Sequence, residues 1–322
     1  MVELMKPSNY SYILNRFLGF QNNDRYMKFV TEKYQQSGAL YIASAFFIFF
    51  WASGFIAAKF GLPYAAPLTF LSLRFGLALI ILVGICCIWP FRWPTKLSLN
   101  FHIIVAGLLI QTTYLIGVFY GIYLGLSTGI MALVVGLQPI ITGCFASMML
   151  GEKLIYKQWA GLGLGFLGLS LVVAEQIDLS GQTLWGTLFA VLALSGITIG
   201  TIYQKHYCVG VDIRAAVTIQ NAVSFLLAGI LAFLFEPLEV NWNMSFFLAL
   251  SWSAVGLSVI AIALYFFLVQ RGATAKVTSL IYLSPPTTAL MGWLMFEETF
   301  TTLALFGLVL AVIGVAIVNR SV

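Results

Sequence analysis

Ten apolar runs, each long enough to cross a lipid bilayer, dominate the 322-residue sequence. A membrane-spanning helix needs about 20 mainly apolar residues, since each residue advances the helix by about 1.5 Å. Charged residues make up only 8% of the chain, whereas a soluble domain carries about 25%. The sequence therefore predicts an all-α membrane protein. Spans 1 to 10 are predicted over residues 38–60, 66–89, 101–124, 127–150, 157–176, 183–204, 214–235, 246–269, 274–296 and 301–319.

The basic residues predict the orientation of these spans, because Lys and Arg collect in cytoplasmic loops. With the N-terminus inside, all 16 basic residues except Lys59 and Arg74 fall on the cytoplasmic side. Residues 1–37 are then a cytoplasmic tail, and both termini are cytoplasmic. We expect a multi-pass protein of the bacterial inner membrane, in contact with lipid. The net charge of +5 does not indicate nucleic-acid binding, since the basic residues are not clustered.

The two halves of the chain align without a gap when one is shifted by 146 residues, as from residue 54 to residue 200. The first repeat covers residues 38–176 and the second covers residues 183–319. Each repeat holds five spans, an odd number, so the second is predicted to be inverted. Inverted repeats are typical of transporters, although duplication alone is also a way to build a bundle. Matched pairs include Gly54 and Gly200, Lys59 and Lys205, Thr128 and Thr274, Pro139 and Pro285, and Glu152 and Glu298.

Several segments resemble EamA-type members of the drug/metabolite transporter (DMT) superfamily. They are residues 50–59, 70–75, 136–139 with 150–154, and 283–285 with 296–298. The similarity covers residues 38–319. The chain departs from the family in its long N-terminal tail and in Gln220 at the position that matches Arg74.

The resemblance implies a DMT-type basket of ten helices around a central cavity lined by spans 1, 3, 4, 6, 8 and 9. It implies a secondary transporter that works by alternating access on small metabolites. Our first expectation is an exporter of amino acids or related compounds. The alternatives are an importer of another metabolite, or a lipid or lipid-linked sugar flippase of the same fold.

Uncharged polar and aromatic side chains are placed to line this cavity and bind substrate. Such side chains suit an amphipathic zwitterion or an aromatic metabolite, but each of them can also serve packing alone. The candidates are Trp51, Gln111, Tyr114, Gln138, Tyr203, Tyr265, Tyr282 and Ser284.

Three prolines, Pro139, Pro285 and Pro286, fall in the middle of spans 4 and 9. A proline inside a helix removes one backbone donor and frees a carbonyl one turn earlier. We expect these prolines to kink the helix as part of a gate or a binding site. The alternative is a static kink that serves packing.

Four charged residues are candidates for a gate or an anchor. Arg74, about 12 Å into span 2, either holds a substrate carboxylate or stabilises the fold. Lys59 either attracts anions or closes an outer gate against Glu297 or Glu298, unless it is an interfacial lysine. Glu152 and Glu298 follow spans 4 and 9 at matched positions, as gate carboxylates or as solvated loop charges.

Other classes of protein lack their signature in this sequence. No Asp or Glu falls in the central part of a span, and the two histidines lie at the edges of separate spans. We therefore predict no catalytic residues, and the four cysteines predict no metal site, cofactor or disulfide framework. Glycines in spans 5 and 10 indicate close helix packing, either within one chain or in a homodimer.

Overall fold

The protein is described from a computed structural model, over residues 23–88, 93–138, 141–142, 156–176, 182–261, 264, 268 and 283–320. Within these ranges the regular structure is helical, and strand pairing is limited to an isolated antiparallel bridge between Ala65 and Val240. The chain divides into two compact units, Met1–Ala45 and Phe46–Val322. The described part of the first is helical from Asn23 onward, and the contacts given below lie within the second.

Among the described residues, six helices are long and apolar enough to cross a membrane. They coincide with predicted spans 1, 2, 3, 6, 7 and 8, so the all-helical membrane prediction is confirmed over the described residues. The apolar stretches are Leu40–Gly61, Pro67–Ile88, Leu97–Tyr123, Leu184–Tyr207, Arg214–Phe235 and Met244–Ala261.

The remaining predicted spans are described as helices of differing length. Span 5 is Tyr156–Gln176 and span 10 is Thr302–Arg320. Span 4 is described as a helix over Thr128–Val135, and span 9 over Ser284–Phe296. The helix of span 1 begins at Asn23, earlier than residue 38, because the polar residues before the apolar stretch are also compatible with a helix.

Polar residues mark the first turns of three helices. The side chains of Ser127 and Asn243 accept hydrogen bonds from Ile130 N and Phe246 N, at the starts of spans 4 and 8. At the start of span 7, Asp212 accepts hydrogen bonds from the guanidinium and the amide of Arg214, and these bonds lower the pKa of its carboxyl. Such caps satisfy amides that have no partner within the helix.

Spans 3 and 8 each contain a π-helical segment, Leu108–Thr113 and Trp252–Ala261. The Thr113 hydroxyl donates to Leu108 O at 2.9 Å across the first of them. The 146-residue shift carries residues 108–113 onto residues 254–259, inside the second segment. The widened turns therefore occupy matched positions in the two halves.

Contacts at both ends of each pair fix the directions of four helices. Spans 2 and 7 are antiparallel, because Leu68 at the start of span 2 contacts Glu236 after span 7, while Cys86 lies 3.8 Å from Thr218 at the opposite end. Spans 3 and 6 are also antiparallel, as shown by ring contacts of Tyr120 with Phe189 and of His102 with Tyr203. We call the two ends of the bundle the Lys59 end and the His102 end.

Glycines allow close approach between spans 5 and 10. A Cβ added at Gly314 would lie 2.5 Å from Gly161 O and from Gly165 N. This contact lies within one chain, which is one of the two kinds of packing expected for these glycines. The backbones of the two helices therefore touch with no side chain between them.

Candidate functional site

The carboxylate of Glu298 joins three parts of the chain at the Lys59 end, in what we call the Glu298 junction. Its Oε1 lies 2.7 Å from Lys59 Nζ and accepts a hydrogen bond from Thr128 N at 3.0 Å. Its Oε2 accepts from the Thr128 hydroxyl at 2.8 Å. Glu298 is 7% exposed, and Lys59 Nζ also lies 4.9 Å from the centre of the Phe296 ring. The junction therefore ties the end of span 1 and the start of span 4 to the chain after span 9.

The turn after span 9 directs Glu298 into this junction. Glu297 ends the helix with φ of 53°, in the left-handed region that side chains other than glycine's seldom adopt. Glu298 N then donates to Gly292 O at 3.3 Å. A Cβ at Gly292 would lie 2.6 Å from the Thr128 hydroxyl oxygen and would also meet the Glu298 carboxylate. Glycine at position 292 therefore leaves the room that the carboxylate occupies.

A second carboxylate, Glu236, forms a similar junction at the same end. Its Oε1 accepts from Leu68 N at 2.9 Å and from the Tyr120 hydroxyl at 2.8 Å. Its Oε2 accepts from Thr69 N at 2.8 Å and from the Thr69 hydroxyl at 3.0 Å. We call this set the Glu236 junction. It ties the chain after span 7 to the start of span 2 and to span 3.

The two junctions share one design. Each places a carboxylate from the second half of the chain on the first turn of a helix from the first half. The amides there have no partner within the helix, and the helix dipole favours a negative charge at that point. The two glutamates therefore cap the first turns of helices that belong to the other half of the chain.

The ion pair between Lys59 and Glu298 is confirmed as a contact. Glu297, the other predicted partner of Lys59, is exposed instead. The left-handed conformation of Glu297 turns the chain, so that the side chain of Glu298 enters the junction. Glu152 lies outside the described residues. That the ion pair acts as a gate stays a prediction.

Arg74 lies inside the bundle, 6% exposed. It interacts electrostatically with Tyr114 of span 3, a predicted substrate-binding residue. That span 2 stands outside the lining helices stays a prediction. Gln220, at the position matched to Arg74, is also buried, and its amide donates to Gln204 Oε1 at 2.9 Å.

The other predicted cavity residues are found in different surroundings, as far as the structure describes them. Tyr203 lies at the His102 end, where its hydroxyl is 2.7 Å from His102 Nδ1. Gln138 donates to the Thr142 hydroxyl at 3.3 Å, and Ser284 is buried with no hydrogen-bond partner for its Oγ among the described residues. Trp51 and Gln111 are partly buried, in span 1 and in the π-helical segment of span 3, and Tyr265 and Tyr282 lie outside the described residues.

The prolines of span 9 stand in the first turn of its described helix. Pro285 and Pro286 follow Ser284, the first residue of that helix. The amide that proline lacks has no helical partner in a first turn, so proline is well tolerated there. The described helix therefore starts at these prolines and is not interrupted by them. Pro139 lies outside the described residues.

An open cavity of about 410 Å³ lies beside Lys59. Its described lining includes none of the predicted substrate-binding residues. The cavity therefore lies at the Lys59 end of the bundle, next to the Glu298 junction. The lining residues are Lys59, Phe60, Leu62, Pro63, Tyr64, Ile122, Tyr123 and Phe296.

Sequence reasoning missed the Glu236 junction. The signal for it was the start of span 2, where Ala66 and Pro67 offer no side chain that could cap the helix. Amides in a first turn need partners, so an acceptor from elsewhere in the chain was required. The sequence does not say which of the loop acids supplies it.

Comparison with known proteins gives a consistent result. The profile of the EamA-like transporter family matches residues 36–174 and again residues 184–320. The uncharacterized transporter YvbV of Bacillus subtilis is 27% identical, over 85% of this chain and 90% of that protein. The uncharacterized inner membrane transporter YedA of Escherichia coli K12 is 26% identical, over 84% and 87%.

A further relative carries a more specific name. The probable amino-acid metabolite efflux pump of Escherichia coli K12 is 25% identical, over 83% of this chain and 90% of that protein. One solved crystal structure superposes with a TM-score of 0.63 and covers 87% of this chain and 97% of its own, at 16% identity. At that identity the likeness concerns the fold alone.

Proposed function

The chain belongs to the EamA-like transporter family, and on that premise we propose that it moves small metabolites across the membrane by alternating access. It is a transporter and a multi-pass membrane protein. The proposal adds the mechanism, the substrate class and the orientation. We take the substrates to be amino acids or related compounds and the direction to be export.

Helix directions support two inverted five-helix repeats, residues 38–176 and 183–319. Span 1 runs toward the Lys59 end, whereas span 6, its counterpart in the second half, runs away from that end. Spans 2 and 7 are likewise counterparts, and they are antiparallel. The π-helical segments of spans 3 and 8 occupy matched positions. Ten spans in two opposed sets of five account for all three observations.

The Glu298 junction is the observation that carries the mechanism. In alternating access, contacts between the halves close one end of the pathway and break when that end opens. The junction joins residues 170 and 239 positions apart at a single end of the bundle. Lys59 remains partly exposed at 34% of its side chain, so the pair lies at the surface of the bundle at that end. Such a contact can form and break without exposing the apolar interior.

The substrate class is supported by one relative, named a probable amino-acid metabolite efflux pump. The proposed orientation follows from the basic residues, with both termini in the cytoplasm of a bacterium and the Lys59 end outside. YedA, named an inner membrane transporter, supports that location. Import of another metabolite and flipping of a lipid-linked sugar are the competing functions.

Counterflow in proteoliposomes tests the proposal. Vesicles loaded with one amino acid should accumulate the same labelled amino acid, with saturation, while fluorescent lipid in the same vesicles stays in its leaflet. Lipid movement without counterflow would favour the flippase instead. The twenty proteinogenic amino acids form the panel, and empty vesicles are the control.

Cross-linking at the Lys59 end tests the mechanism separately. Lys59→Cys and Glu298→Cys are introduced together, with the native cysteines replaced by serine, and joined by a short bis-maleimide. Cross-linking should stop counterflow, because the closed end can no longer open. Each single cysteine variant, treated in the same way, is the matched control. Full counterflow after complete cross-linking would contradict alternating access through this end.

A further inference from the structure

Arg74 carries a positive charge into the bundle without a counter-ion from the chain at its depth. Its side chain is buried, and its Nε has no hydrogen-bond partner among the described residues. The ion pairs of the described residues are Lys59 with Glu298 and Arg214 with Asp212, both at helix ends. None of the 11 acidic residues of the sequence lies in the central part of a span. An anion that neutralises Arg74 must therefore come from outside the chain.

Tyr114 lies at the same depth as Arg74. The rings of Phe70 in span 2 and Phe119 in span 3 are 5.2 Å apart. Arg74 lies four residues after Phe70, and Tyr114 lies five residues before Phe119. Each of these separations corresponds to about 6–8 Å along the axis of its helix. The guanidinium and the tyrosine interact electrostatically. The phenol and the guanidinium thus lie at a similar depth, roughly halfway through an apolar layer of about 30 Å.

A buried unpaired charge is unfavourable by several kcal/mol, and an arginine at this depth normally faces a partner or water. A bound carboxylate would relieve that cost, since two parallel N–H groups of guanidinium match its two oxygens. We propose that Arg74 and Tyr114 form the binding site for the carboxylate of a monoanionic or zwitterionic solute. This inference rests on the proposed transport function and names the chemical group that the transporter recognises.

The number of charges favours a carboxylate over a phosphate. Arg74 is the one basic residue of the sequence that lies in the central part of a span. A phosphate ester carries up to two negative charges, so one guanidinium would leave part of its charge unpaired in a site of low dielectric. A carboxylate carries one charge, and the Tyr114 hydroxyl adds a neutral donor.

Pairs of ligands that differ only in the carboxylate test the site. Thermal stabilisation of the purified protein is measured with the twenty proteinogenic amino acids, each beside its carboxamide. At least one acid should bind about 10- to 100-fold more tightly than its amide, because a charge-assisted hydrogen bond contributes about 1.5–3 kcal/mol. Equal stabilisation by every acid and its amide in the wild-type protein would overturn the proposal.

Variants locate the selectivity at Arg74. Arg74→Gln should reduce the ratio of acid to amide affinity to near one, and Arg74→Lys should leave an intermediate ratio, because lysine keeps the charge but not the paired donors. Gln220→Leu is the matched control: it removes a buried polar side chain at the equivalent position and should keep the ratio. Arg74→Gln with an unchanged ratio would exclude the site.

If Arg74→Gln does not fold, Tyr114→Phe decides the question. A three- to tenfold lower ratio of acid to amide affinity supports the site, and an unchanged ratio overturns it.

The test separates this inference from the transport function. Counterflow of solutes with no preference for the acid over the amide would leave the transporter intact and reject the Arg74 site. Stabilisation by acids that depends on Arg74, without counterflow of any solute, would support the site and reject the proposed function.

Discussion

Lys59 Nζ lies 2.7 Å from Glu298 Oε1, although 239 residues separate the two in the chain. The same carboxylate accepts two hydrogen bonds from Thr128. One side chain thus neutralises a lysine of span 1 and completes the first turn of span 4. The stability of this end of the bundle should therefore respond strongly to changes at position 298.

Glu298→Gln should lower the stability of the folded protein by about 1–2 kcal/mol. The substitution keeps the size of the side chain but removes the charge that pairs with Lys59 and faces the helix dipole. The partial exposure of Lys59 limits the loss to less than that of a fully buried pair. Thermal unfolding of the purified protein measures the effect. Glu297→Gln, on the adjacent exposed residue, is the control and should change little.

A double-mutant cycle isolates the ion pair from the contact with Thr128. Lys59→Met and Glu298→Gln are compared singly and together, and their coupling energy should be about 1 kcal/mol. Fully additive effects would mean that the pair contributes nothing to stability, even though its two groups are in contact.

Glu236→Ala should lower stability by about 1–3 kcal/mol, because four hydrogen bonds, two of them from first-turn amides of span 2, lose their acceptor. Hydrogen exchange at Leu68 and Thr69 should rise as well. Glu239→Ala, at an exposed position in the same loop, is the comparison. A loss of similar size at both positions would argue that the loop as a whole, and not the cap on span 2, is responsible.

Gly292→Ala should displace the Glu298 carboxylate, because the added Cβ would meet that carboxylate. The Cβ would also lie 2.6 Å from the Thr128 hydroxyl oxygen. We expect a loss of about 1–3 kcal/mol, the usual range for overpacking. Gly84→Ala is the matched change, since a Cβ there meets nothing within 4 Å, and it should be neutral or slightly stabilising. Unfolding curves for the two variants decide the matter; equal stability would mean that the junction adapts freely.

Gly314→Ala should separate spans 5 and 10, because its Cβ would lie 2.5 Å from backbone atoms of Gly161 and Gly165. Backbone atoms cannot move aside as a flexible side chain can, so we expect a loss of about 2 kcal/mol or more. Gly163→Ala, two residues from both Gly161 and Gly165 and with open space around it, should be tolerated. Yield and unfolding temperature of the two variants, prepared side by side, give the comparison.

The apolar runs predicted the positions of the helices well, because a span in lipid must be apolar over its whole length. The end of span 7 at residue 235 and the ends of span 5 at residues 157 and 176 agree closely with the structure. The ion pair of Lys59 with Glu298 was predictable only as one of several alternatives, because Glu297 and an unpaired interfacial lysine fitted the sequence as well.

Details that depend on the neighbours of a helix were not predictable. The apolar sequence around Gln111 contains no residue that requires a π-helical turn, so that segment depends on packing between spans. Burial of Arg74 depends on which face of span 2 turns inward, and a span that is apolar on nearly every side does not indicate that face. The acceptor for Leu68 and Thr69 comes from 167 or more positions away, beyond the reach of local patterns.

The two junctions also determine what must be rehydrated if the halves part at this end, as the proposed mechanism requires. Separation would expose the amides of Leu68, Thr69 and Thr128 together with the two carboxylates that now cover them. All of these groups lie at helix termini, at the Lys59 end of the bundle, where water can replace each lost hydrogen bond as the halves part. Placing these contacts at the helix termini therefore keeps the barrier to opening low.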